Sequence, residues 1–163
     1  MKISTEISSV ASKVGMEKAV ELCAKAGFDA WDFSMFAMCK YDKPSRTLLE
    51  NDHPLAGRDY LKFARRLKQI GLDNGIVCNQ SHAPFPTSCA EIRTYLKRAL
   101  ECTAEAGGNI CVIHPDNNKS AEENAEMFLN TCETGPCSTI TPASITATSS
   151  HTRRITSISW VIS

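Results

Sequence analysis

Six polar side chains of this chain sit where they could do chemistry: Asp32 and Ser34 in "AWDFSM", Gln80 and His82 in "NQSHAPFP", and His114 and Asp116 in "VIHPDN". An imidazole can accept or donate a proton near neutral pH and can ligate a metal. A carboxylate can act as a base or as an oxygen ligand, and an amide can hold a hydroxyl or a developing oxyanion. Together these groups suit proton transfer next to a carbonyl, a reaction that needs a positioned base and a donor or cation on the enediolate oxygen. Each also has a structural alternative. A histidine at a strand end can simply bond a loop carbonyl, and Asp32 can cap a loop or pair with a basic neighbour.

Their positions follow from the elements around them. Pro84 and Pro86 cannot donate to a sheet ladder, so the apolar run "GIVC" must end in a stiff loop and place His82 at the carboxyl end of a strand. Pro115 does the same for His114. The pattern of a short apolar run and then an amphipathic helix occurs four times between Met1 and Leu129. The first run is "KISTEISS", followed by a helix with Met16, Ala19, Val20 and Cys23 on one side and Gly27 at its end. The second is "AWDFSM", a long loop from Phe36 to Ala56, and a helix with a Tyr60, Phe63, Ala64, Leu67 stripe and Arg65, Arg66 and Lys68 on the wet side. The third is "GIVC" and one helix over Ala90–Ala106, opened by a Ser88/Glu91 capping box, with Ile92, Tyr95, Leu96 and Ala99 inward. The fourth is "NICVIHPDN" and a helix capped by Ser120 and Glu123, with Ala121, Ala125, Phe128 and Leu129 on one side.

"GIVC" and "ICVI" are apolar at successive positions, as strands covered on both faces of a parallel sheet are. Alternating β and α elements leave an open doubly wound sheet or a (β/α) barrel, and in both the chemistry gathers at the carboxyl ends of the strands. No glycine-rich phosphate loop follows any strand, which weighs against a dinucleotide fold.

Composition excludes several classes. The 18 Lys and Arg balance the 18 Asp and Glu, so there is no electrostatic footprint for nucleic acid or an anionic membrane. No apolar run is long enough to span a bilayer and "MKISTEISSV" does not have the pattern of a signal peptide, so a cytoplasmic location is expected. The eight cysteines are scattered with no Cys-x-x-Cys pair; buried reduced thiols are expected, with a disulfide framework as the alternative. His53 reads as a solvated loop residue, Glu6 as an unsupported strand-end carboxylate, and Trp31 and Phe33 as core or pocket wall.

"AGFDAWDFSM", "NQSHAPFP" and "VIHPDN", in this order and separated by helices, resemble the sugar phosphate isomerase/epimerase group of xylose isomerase-like TIM barrels, the superfamily that includes endonuclease IV. The resemblance covers Met1 to about Leu129. It implies a partial (β/α)8 TIM barrel of four βα units and a metal-dependent isomerase or epimerase acting on a sugar or sugar phosphate. It also implies a divalent cation (Mn, Mg or Zn), with His114 as catalytic residue, Asp32, Gln80 and His82 as substrate-binding residues, and His82 and His114 as metal ligands. The remaining carboxylate ligands would lie on later strands of such a barrel, so weak or no activity is expected. Two alternatives stand beside this reading. One is a zinc phosphodiesterase like endonuclease IV; the other is a non-enzymatic half-barrel that dimerises through its open strand edges.

After Leu129 the composition changes: residues 130–163 hold eight Thr and seven Ser in thirty-four positions, which reads as an irregular, low-complexity segment. Only "ITSISWVIS" alternates in the manner of a strand. The abrupt change suggests an out-of-frame translation. A permitted back-translation of Gly135 to Ile145, read from its third base, encodes Ser-Leu-Leu-Asp-His-Tyr-Ala-Arg-Lys-Tyr, a helical continuation of the fourth unit.

Overall fold

The computed structural model describes residues 2–133, 140–144 and 158–162. Four parallel strands, β1 (Ser4–Glu6), β2 (Ala30–Ser34), β5 (Val77–His82) and β6 (Ile110–Ile113), lie side by side in chain order. Two short strands, β3 (Tyr41–Asp42) and β4 (Thr47–Leu48), form a separate antiparallel hairpin within the long loop. The helices are α1 (Ser8–Val14), α2 (Met16–Lys25), α3 (Tyr60–Asp73), α4 (Ala90–Arg93), α5 (Leu96–Ala106) and α6 (Ala121–Glu133). The chain is thus α/β with a four-stranded parallel sheet, and that sheet has no point at which the strand order reverses.

One face of the sheet carries the core. Helix α2 packs on α3, α3 on α5 and α5 on α6, so these helices form a single layer. Trp31 and Phe33 of β2 turn into this layer, fully buried, with their rings 5.4 Å apart. Gly71 of α3 lies directly against the indole: a Cβ there would stand 2.9 Å from Trp31 Nε1. From β5, Ser81 Oγ meets Thr103 Oγ1 of α5 at 2.5 Å. Because side chains alternate along a strand, Asp32, Ser34 and His82 project from the opposite face.

The helical stripes are placed as expected. Met16, Ala19, Val20 and Cys23 are buried on α2, and Ala64 and Leu67 on α3, with Tyr60 and Phe63 packed at the margin. Arg65 and Arg66 are exposed and pair with Glu105 and Glu17. Ser120 and Glu123 form the reciprocal capping box. Gly27 takes a φ of 87° just past α2. Six cysteines, at 23, 39, 78, 89, 102 and 111, are buried thiols.

Five expectations need correction. The opening run holds only the three-residue β1, and Ser8 begins a helix, because Glu6 takes both the amide and the hydroxyl of Ser8. The third helix is two helices, since Thr94 and Tyr95 turn on bonds to Glu91 and Ile92. Its Ser88/Glu91 box does not form, as Glu91 takes the Cys89 thiol instead. "GIVC" is not covered on both faces, for Val77 is 51% exposed. The segment after Leu129 is not wholly irregular: β8 (Ile158–Ile162) pairs antiparallel with β6, and β7 (Ile140–Ser144) pairs with β8. The edge of β6 is therefore occupied, leaving β1 and β7 at the ends of the order β1-β2-β5-β6-β8-β7. The strand expected at "ITSISWVIS" is β8. No helix among the described residues is long and apolar enough to cross a membrane.

Candidate functional site

The site begins with an irregularity in the ladder between β2 and β5. Trp31 faces Cys78 and Phe33 faces Ser81, so two steps along β2 match three along β5. The extra residue is a bulge, a device that re-aims side chains. Here it brings two amides onto one carboxylate: Asn79 Nδ2 donates to Asp32 Oδ1 (3.2 Å) and Gln80 Nε2 donates to Asp32 Oδ2 (3.0 Å). Asn79 also reaches Ser4 Oγ of β1 (3.1 Å), so three strands are tied together on this face. The polar residues expected after the third strand therefore lie within it, with His82 as its last residue.

Beyond the bulge the strand ends are fastened to their neighbours. The amide of Met35 bonds the carbonyl of His82, and the amide of Ala83 bonds that of Val112 (both 2.9 Å). Thr87 Oγ1 donates to the carbonyl of His114 (2.8 Å), which is how the loop after β5 is anchored beside β6. As a result the imidazoles of His82 and His114 lie nearly parallel, with ring centres 6.1 Å apart and planes at 25°. Two phenylalanines close around them. Phe36 stands 6.3 Å from His82, 6.4 Å from His114 and 4.7 Å from Phe85, and Phe85 stands 5.3 Å from His114. Phe85 is 48% exposed, so this four-ring cluster opens to solvent.

Burial lowers the pKa of His114 below the ordinary imidazole value, and the charge of His82 lowers it further. At neutral pH His114 therefore presents a neutral ring, able to accept a proton or a hydrogen bond. Ser34, paired in register with His82, is buried with an Oγ that has no hydrogen-bond partner among the described residues. A buried hydroxyl without a partner is costly, and its natural complement is a water or a ligand group.

Other candidates have structural work. Asp116 is buried and its Oδ1 accepts from the amide and side chain of Asn118, while Asn124 braces the same loop through Asp116, Lys119 and Ser120. His53 is half-buried rather than solvated: its Nδ1 accepts from the Leu55 amide and its ring meets Phe63 edge-on. Glu6 holds Ser8. His151 lies outside the described residues.

Two cavities adjoin the cluster's loops. One, of about 550 Å³, is lined by Tyr41, Arg46, Ser88, Cys89, Asp116 and Asn118. The other, of about 600 Å³, is lined by Lys40, Glu50, Asn51 and Asp52.

The donor set for a divalent cation is incomplete. Among the described residues no three His, Cys, Asp or Glu side chains gather as a metal group. His82 and His114 supply two imidazoles, while Asp32 faces Asn79 and Gln80. Zinc takes four ligands or three with water, and Mg and Mn want several oxygens, so these residues do not by themselves fit the metal.

No family model, no curated protein and no solved structure matches this chain.

Of the residues expected at the site, Asp32, Gln80, His82 and His114 lie on one face near the carboxyl ends of β2, β5 and β6. Phe36, Phe85 and Asn79 join them without having been expected there. The sequence signal for Phe85 is its place between Pro84 and Pro86, which hold it in the loop after β5. Phe36 carried none beyond following a strand.

Proposed function

We propose that this chain carries a sugar-binding site of the isomerase/epimerase type found in xylose isomerase-like barrels, acting on a sugar or sugar phosphate. The observation that carries the reading is the convergence of His82, His114, Phe36 and Phe85 at neighbouring strand ends. Sugars present an apolar C–H face and a rim of hydroxyls. Aromatic rings cover the first, and imidazoles and amides hydrogen-bond the second. Further support comes from the four parallel strands, which follow in chain order without a reversal, as successive strands of a barrel do.

His114 is the proton acceptor in this reading, because burial keeps it neutral at the pH where it would work. Asp32 does not act on the substrate directly. It holds Gln80 and Asn79, and so fixes the amides that meet the sugar's oxygens. The divalent cation implied by the resemblance finds only two imidazoles among the described residues, so binding is expected without efficient turnover.

Saturation-transfer NMR with a panel of free and phosphorylated pentoses and hexoses tests this. Binding is expected for the intact chain and should weaken at least tenfold in Phe85→Ala and in His114→Ala. Undiminished binding in both variants would refute the assignment. Isomerase assays with added Mn, Mg or Zn are expected to show weak or no conversion.

A further inference from the structure

We infer that the 550 Å³ cavity beside His114 is a subsite for the hydroxyls of a neutral sugar, and that the site rejects the phosphorylated form. The inference rests on the sugar-binding reading and decides between the two substrate classes it leaves open.

The cavity's wall is built from the chain segments that flank the proposed site. Thr87, which holds the carbonyl of His114, is followed by Ser88 and Cys89 in the wall, and Asp116 enters the wall two residues after His114. Opposite them stand Tyr41 and Arg46 of the β3–β4 hairpin. Arg46 takes a left-handed φ of 56° at the end of the turn, and no ion pair engages its guanidinium among the described residues.

Charge decides the ligand. The lining holds one cation, Arg46, and one carboxylate, Asp116, and sums to zero. A phosphomonoester carries about −1.5 to −2 at pH 7, so it would bring two charges toward a single Arg while facing a carboxylate that is only 7% exposed. The neighbouring cavity is no better for an anion, because Lys40 is outnumbered by Glu50 and Asp52. A polyol has the opposite needs. Its hydroxyls both donate and accept, and this wall offers an acceptor in Asp116, donors in Arg46 and Asn118, and groups of both kinds in Tyr41 and Ser88. Asp116 spends Oδ1 on Asn118, and no hydrogen bond among the described residues reaches its Oδ2, so that oxygen is open to a sugar hydroxyl.

Isothermal titration of the full chain with matched pairs, a pentose or hexose beside its own phosphomonoester, tests the inference. The neutral member of at least one pair should bind tenfold or more tighter than its phosphate. Asp116→Asn retains the Oδ1 acceptor for Asn118 but removes the carboxylate, and should weaken the neutral sugar about tenfold while narrowing the gap to the phosphate. Arg46→Asn, a substitution that tolerates the left-handed backbone, tests the same wall from an exposed hairpin and should also weaken the neutral sugar. Tighter, salt-dependent binding of the phosphates would overturn the inference and leave the sugar-binding reading standing. Binding of neither member of any pair would overturn both. Neutral-sugar binding untouched by both variants would place the hydroxyl subsite elsewhere and overturn the assignment of this cavity.

Discussion

The contact that organises the site, Gln80 on Asp32, can be measured in isolation by a double-mutant cycle with Asp32→Ala, Gln80→Ala and the double variant. A hydrogen bond to a charged group contributes about 1.5–3 kcal/mol to stability. Asp32 is 7% exposed, which favours the upper part of that range, but Gln80 is only half-buried and regains water when its partner is removed. The two effects place the coupling near the lower end, about 1.5 kcal/mol, for the 3.0 Å bond. Asn79 is exposed and its bond is longer at 3.2 Å, so the corresponding cycle should give less, about 0.5 kcal/mol. The assay is urea unfolding at pH 7 followed by far-UV circular dichroism, with the slopes checked for constancy across the four proteins. Because the bulge ties Gln80 to Asp32, Asp32→Ala should also move the ring resonances of His82, two residues beyond Gln80. A Gln80–Asp32 coupling below about 0.5 kcal/mol, with unmoved His82 resonances, would refute the view that the bulge exists to gather amides on this carboxylate.

Two further results are expected. Gly71→Ala would set a methyl 2.9 Å from Trp31 Nε1 and 3.0 Å from the carbonyl of Ile76, neither of which is a flexible chain end, so overpacking of about 1–3 kcal/mol should exceed the roughly 1 kcal/mol gained in helix propensity. Gly57→Ala, whose nearest atom lies at 3.6 Å, serves as the control, and equal stability of the two variants in urea would show that the indole is not held where described. Because burial lowers the pKa of His114 in the folded chain, the unfolded chain binds more protons as pH falls through the ordinary imidazole value near 6.5. The stabilisation from keeping His114 neutral is thus complete above that pH and is lost below it, down to the folded pKa. Unfolding midpoints of the intact chain should fall more between pH 7 and 5.5 than those of His114→Gln, and identical profiles would contradict the burial argument.

The strand ends were legible because proline acts locally: Pro84 and Pro115 stop β5 and β6 whatever the tertiary context, so His82 and His114 could be placed before any contact was known. Amphipathic stripes were legible for a similar reason, since Met16, Ala19, Val20 and Cys23 share a helix face by spacing alone. Misreadings arose where a side chain had two partners to choose from. Glu91 could cap a helix through Ser88, but it accepts from the Cys89 thiol instead (3.0 Å), and the helix ends at Arg93. Ser8 could extend a strand, but Glu6 captured its amide and began a helix.

The bulge shows most clearly why local reading ran out at the site. "GIVC" reads as a strand buried on both faces that ends at His82, with nothing in the pattern to mark an extra residue between Cys78 and Ser81. A continuous apolar run and an alternating one differ by a single residue when a bulge intervenes, because the extra residue shifts the side-chain alternation by one. In β5 that shift leaves Cys78 and Ser81 both on the helix side, three residues apart, and it turns Asn79 and Gln80 toward Asp32. Val77 is exposed on the other face for the same reason that His82 is available there: this face of the sheet is not covered by the helical layer. The cue was present in the residue types, since two successive amides are poor strand formers and acquire a purpose only opposite a carboxylate. What the sequence could not supply was the register that sets Asp32 opposite them, a long-range pairing across forty-seven positions. The pairing of two amides on one carboxylate is therefore a consequence of one inserted residue in β5: deleting Asn79 should restore regular alternation with Cys78 and Ser81 still toward the helices and Gln80 and His82 still on the face of Asp32, so saturation-transfer NMR should find sugar binding kept, and its loss would show that the extra residue does more than add an amide.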